Sequence, residues 1–313
     1  MSVGILFPGQ GSQHVGMGRD LFETRPDLLG ERADRVLGWS LRSMCLEGPE
    51  EELTRTEHAQ PALFALSFAL WDLLVAETGI VPGGAAGHSL GEYTALTAAG
   101  FFDYDTALSV VARRGRAMAA AADLAPSGMA ALLGADEAEA EEICARRREM
   151  GGQLEVANIN APGQVVVAGG SDDIDWLVAS ARDLGVRRAI PLKVAGAFHS
   201  TFMDPAATVV ASALEEAAVG ELAFPVWANT TGNPHRIDTV KELLVRQVVA
   251  PVRFSDSLVN MAASGIDTFA HVGPGDVTAG LARRSVEDAR VVVVSGIADI
   301  GAAAEAIGTM GRL

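Results

Sequence analysis

The stretch Gly87-His88-Ser89-Leu90-Gly91 narrows most sharply what this chain can fold into. Its serine has a glycine two positions to either side. It is entered from a short apolar passage (80–87) and left through a helical pattern (90–99), which predicts a sharp strand-to-helix turn. A turn of this kind needs small residues on both flanks, because strand and helix nearly touch. It belongs to layered α/β sheets, with the serine at the carboxyl edge. The passage feeding it centres on Gly83-Gly84-Ala85-Ala86 and is poor in β-branched residues, so position alone argues for a strand. Held this way, the Ser89 hydroxyl is exposed and the Leu90 N–H can face an oxyanion. The plainer alternative is a glycine-flanked turn serine that does no chemistry.

The rest of the chain supplies the layers. Residues 3–7 read as a short buried strand closed by Pro8-Gly9, and residues 60–78 as a long apolar helix stopped by Gly79. From about 128 to 194 the rhythm changes. A strand (129–133) and a charged helix (137–150) precede two strands (156–160 and 165–168) around the turn Ala161-Pro162-Gly163-Gln164. A second helix (172–184) and a last strand (188–194) follow. The order βαββαβ is the ferredoxin-like pattern. It reads as an insertion, because strands resume near 269–272 and 291–295.

Composition excludes several classes of function. The chain has 313 residues and a formal charge of −16, with no alternation of basic and aromatic residues, so nucleic acid is not an expected partner. Two cysteines, Cys45 and Cys144, are too few for a disulfide framework or a zinc site. The first residues carry no basic, long-apolar signal, and apolar runs break before about 18 residues. The expectation is a cytoplasmic protein without a membrane span.

A serine hydroxyl needs a base. Of six histidines, His88 adjoins Ser89 across a sharp turn, where neighbours point apart. His199, in Gly196-Ala197-Phe198-His199-Ser200, follows an expected strand end in a small-residue turn suited to holding a base. No acid between Ser89 and His199 stands out as a third triad member, which argues against an ordinary hydrolase. Gly9-Gln10-Gly11-Ser12-Gln13-His14 starts like a dinucleotide fingerprint but has His14 in place of the third glycine. A loop there could instead give a second oxyanion donor. Arg113, Arg114 and Arg116 lie on a segment expected beside the site, where a guanidinium could hold a carboxylate in bidentate fashion. All three stand as candidates for that role.

Together these residues resemble the malonyl-CoA:acyl carrier protein transacylase family, including stand-alone acyltransferases of fatty acid and polyketide synthesis. The matches run through Phe7-Pro8-Gly9-Gln10-Gly11-Ser12-Gln13, Gln60-Pro61-Ala62, 87–93, Arg114-Gly115, 158–164, 196–200, Val245-Arg246-Gln247 and Val272-Gly273-Pro274-Gly275. The resemblance implies an α/β-hydrolase-like catalytic domain (1–126 and 196–313) with an inserted ferredoxin-like small domain (127–195). It implies a ping-pong transfer with malonyl-CoA and an acyl carrier protein as partners and no separate cofactor or metal. Ser89 would carry the acyl group and His199 would be the base, oriented by the backbone carbonyl of Gln247. Backbone N–H groups of Gln10 and Leu90 would form the oxyanion hole. Arg114 would hold the substrate carboxylate, and Phe198 would crowd an α-methyl branch. Asp276 stands where many relatives carry lysine. The resemblance leaves room for an acyl hydrolase of the same fold, or a transferase for another dicarboxylic unit.

Overall fold

The computed structural model describes residues 2–308. Among the described residues nine strands build two separate sheets: β1 Val3–Phe7, β2 Gly84–Gly87, β3 Ser127–Leu133, β4 Leu154–Ala161, β5 Gln164–Gly170, β6 Arg188–Pro191, β7 Val226–Trp227, β8 Thr268–Val272 and β9 Arg290–Val294. The larger sheet is wholly parallel, in the order β7-β2-β1-β8-β9. Strands β1, β2 and β8 are buried along their length, as parallel strands covered by helices on both faces must be. The expected β1 has the bounds found, because Pro8 ends an unbroken apolar run.

β2 is shorter than the expected passage. Its small residues are dictated by close neighbours: a Cβ on Gly84 would stand 2.3 Å from the Trp227 ring. The long helix Thr56–Thr78 starts one turn before the expected Gln60. Pro61 suggests a helix start because proline suits a first turn, but here it sits inside the helix. By length and composition this helix could cross a membrane, yet 72% of its apolar window is buried within the protein, where it forms a core helix.

The second sheet is antiparallel, in the order β4-β5-β3-β6. Alternation along its strands divides two cores. Ala130, Leu132, Val165 and Val167 face the helices Glu137–Glu149 and Ser171–Ser180. Met129, Ala131, Val166 and Ala168 join the main core. The expected strand 188–194 stops at Pro191, although Leu192 N–H still donates to the Met129 carbonyl at 2.9 Å. The two sheets thus flank a cleft that opens at the carboxyl end of β2.

Candidate active site

Ser89 follows β2 and caps the helix Leu90–Ala98 at φ 50°, ψ −103°. A non-glycine residue there costs of order 1–3 kcal/mol and persists only where its surroundings fix it. Asn229 does much of that fixing: its Oδ1 accepts from Ser89 N–H at 2.7 Å and its Nδ2 donates to the Gly87 carbonyl at 2.7 Å. The Gln247 side chain donates to the Ser89 carbonyl at 2.9 Å. Both glycines of the pentapeptide are sterically required. A Cβ on Gly87 would lie 1.9 Å from the Gly91 carbonyl carbon, and one on Gly91 would lie 2.3 Å from the Phe7 oxygen.

His199 reaches this serine from a loop in which it, too, has positive φ, 59°. Its Nδ1 lies 2.7 Å from the main-chain carbonyl of Gln247, and its Nε2 lies 2.9 Å from Ser89 Oγ. A carbonyl can only accept, so Nδ1 carries the proton and the Nε2 lone pair faces the hydroxyl. Burial, reinforced by the charge of Arg114, pushes the His199 pKa down to about 3. The imidazole is therefore neutral at physiological pH and able to take a proton. His88 turns away and meets Asn160 Oδ1 at 2.8 Å, as neighbours across a sharp turn do.

Arg114 projects from the helix Tyr104–Ala122 into the same place and is fully buried. Its Nη1 donates to Gln60 Oε1 at 2.6 Å, and its Nη2 donates to Gln247 Oε1 at 2.9 Å and Ser89 Oγ at 3.0 Å. The guanidinium also lies over the Tyr93 ring, 5.3 Å from its centroid. Burial lowers its pKa, although arginine stays charged in proteins. Among the described residues no carboxylate forms an ion pair with it. Of the other two candidates, Arg113 pairs with Glu216 at 2.6 Å and Arg116 is exposed.

A cavity of about 230 Å³ opens over Ser89 and His199 and is lined by Gln10, Gln60, Leu90 and Phe198 as well. Gln10 sends its side chain to Thr56 Oγ1 at 3.3 Å, away from the serine. Leu90 is the first residue of its helix, so its N–H has no partner within that helix. Among the described residues no cluster of His, Cys, Asp and Glu could hold a metal ion.

The acyl transferase domain family matches residues 5–312, nearly the whole chain. This chain belongs to that family. The acyl transferase domain is 39% identical over 297 residues to the malonyl CoA-acyl carrier protein transacylase of Bacillus subtilis, covering 94% of this chain and 93% of that one. Its fold superposes on the acyl-carrier-protein S-malonyltransferase of Bartonella henselae with a TM-score of 0.93 at 37% identity, covering 98% and 100% of the two chains. A malonyl-transacylase solved in complex with a type II polyketide acyl-carrier protein gives 0.92 at 34% identity, covering 98% and 100%.

Beneath the expected residues the acyl transferase domain carries a polar layer that spacing alone did not reveal. The fully buried Glu92 accepts from His235 Nε2 at 2.7 Å, from the Asn229 main-chain N–H at 3.2 Å and from Gln247 Nε2 at 2.6 Å. Gln247 thereby touches nucleophile, base, arginine and buried acid through one residue. In sequence Glu92 looks like an ordinary acid in a helix first turn. Asn229, in Asn229-Thr230-Thr231-Gly232, looks like a turn former.

Proposed function

We propose that this protein moves a malonyl group from coenzyme A to the phosphopantetheine thiol of an acyl carrier protein, through an ester on Ser89. One observation carries the reading: a fully buried arginine that forms no ion pair with any described carboxylate reaches the candidate nucleophile. A buried charge is costly unless paired, and a dicarboxylic acyl group brings the missing anion within reach of Ser89. The names of the relatives favour the same acyl donor and acceptor.

In the forward half-reaction His199 Nε2 takes the Ser89 proton as Oγ bonds to the thioester carbon. The oxyanion is met by the N–H groups of Gln10 and Leu90, the C–S bond then breaks, and the proton passes from His199 to the leaving thiolate. The carrier thiol reverses the sequence. Coenzyme A enters as substrate, and no cofactor is called for. Phe198 beside His199 narrows the place where an α-branch would sit.

The same proposal takes the large parallel-sheet layer (1–126 and 196–313) as α/β-hydrolase-like and residues 127–195 as a ferredoxin-like insertion. The β4-β5-β3-β6 order, with two helices on one face, supports the latter. Two buried free cysteines fit a cytoplasmic location. Intact-protein mass spectrometry after incubation with malonyl-CoA tests the central claim. A malonyl adduct that Ser89→Ala abolishes supports it; no adduct, or an equal one on the Ala variant, refutes it.

A further inference from the structure

Arg114 Nη2 donates to Ser89 Oγ at 3.0 Å, a contact distinct from holding a carboxylate. Ser89 Oγ donates its proton toward His199 Nε2 and accepts from the guanidinium. A charge-assisted hydrogen bond draws electron density from the oxygen that must attack. The same charge also lowers the basicity of His199, second only to burial. Both effects restrain the nucleophile, and both come from one cation that Glu92 offsets only at a distance, across the Gln247 side chain.

We propose that Arg114 caps Ser89 in the free enzyme and that the substrate's own carboxylate removes the cap. This rests on the reading that Arg114 is the carboxylate subsite. When the carboxylate arrives, Nη2 exchanges a neutral hydroxyl acceptor for an anionic one, a stronger partner. Nη1 stays on Gln60 Oε1, so the guanidinium keeps its anchor during the exchange. Oγ regains its second lone pair, and His199 faces an ion pair in place of a cation that lacks one. A dicarboxylic acyl-CoA is thus selected twice, once in binding and once because it activates the serine that attacks it. An acyl-CoA without a carboxylate meets a capped serine.

Supplying the substrate in two pieces tests this. Acetyl-CoA provides the thioester and free formate provides the carboxylate, and the readout is the rate of Ser89 acetylation by intact mass. Formate is titrated against chloride at equal ionic strength. The expected result is saturable acceleration by formate of about tenfold, what one hydrogen bond to a charged group is ordinarily worth. Inhibition by formate, or a rate matching the chloride control, overturns the proposal. Arg114→Ala and the longer Arg114→Met should both lose the acceleration; an acceleration that survives either substitution overturns it too. The wild-type titration decides the question even where a variant fails to fold. If malonyl-CoA labels Ser89 normally while formate has no effect, the cap fails and the transferase reading stands. If malonyl-CoA gives no adduct, that reading itself fails.

Discussion

His199 is oriented by the main-chain carbonyl of Gln247, at 2.7 Å, and not by a side-chain carboxylate. An aspartate there would raise the basicity of the imidazole; a neutral carbonyl does so far less. Burial and Arg114 then hold the pKa at about 3. His199, the proposed base, is deprotonated throughout the neutral range, and kcat/KM reports the free enzyme. The acylation kcat/KM with malonyl-CoA should stay level from pH 8 down to about 5, near which ordinary free histidine, at about 6.5, would already be protonated. Stopped-flow acylation across that range checks this, and an acid limb centred near 6.5 contradicts it.

The same burial affects acid stability. His88, His199 and His271 all have pKa values lowered chiefly by burial. In the unfolded chain they titrate near about 6.5, so below that pH the unfolded state binds more protons than the native one. Histidine-linked stability is intact above pH 6.5 and is lost as pH falls toward the depressed native values. Urea midpoints measured from pH 7.5 to 4.5 should decline on the acid side, and the decline should be shallower in His271→Asn.

Some of this site was legible in the sequence. The strained serine was, because Gly87 and Gly91 are demanded by direct backbone collisions. Arg114 could have been chosen from its two neighbours by periodicity. It falls on the buried stripe Ala107, Val111, Met118 and Ala121, whereas Arg113 and Arg116 lie off it. The polar layer under the elbow was not legible. Glu92 and Asn229 are 137 residues apart, and Gln247 lies 155 from Glu92. Each has a bland local reading, and only the tertiary fold makes them partners.

Removing the guanidinium should change selectivity more than it changes the fold's chemistry. With Arg114→Ala a malonyl carboxylate loses the buried guanidinium beside Ser89, and breaking a buried hydrogen-bonded charge pair typically costs about 2–5 kcal/mol. The expected result is a fall in kcat/KM for malonyl-CoA of about a hundredfold or more, with acetyl-CoA unaffected or improved. Competition between the two thioesters on one sample measures the ratio directly, and an unchanged ratio removes Arg114 from substrate recognition.

Phe198 is buried beside His199 and lines the cleft. Replacing the ring with a small side chain opens room beside the reacting carbon. Discrimination by one such contact is worth about 1–3 kcal/mol. Phe198→Ser should therefore raise methylmalonyl-CoA relative to malonyl-CoA by about one to two orders of magnitude. Paired kcat/KM values are the check, and no shift means that the ring does not face the branch.

Glu92→Gln tests the polar layer with almost no change in shape. The carboxylate accepts from three donors: His235 Nε2, the Asn229 N–H and Gln247 Nε2. A glutamine must turn an NH2 group toward at least one of them. If it faces Gln247 or Asn229, two donors oppose each other. If it faces His235, the imidazole must adopt the tautomer with its proton on Nδ1, an atom that is buried without a partner. Either arrangement strands a buried donor, at about 1–3 kcal/mol. The urea midpoint should fall accordingly at constant m-value. Ser89 acylation should slow as well, because Gln247 bonds to both the Ser89 carbonyl and the His199 ring, the proposed base. A variant as stable and as fast as wild type would show that Glu92 is only a passive filler of the core.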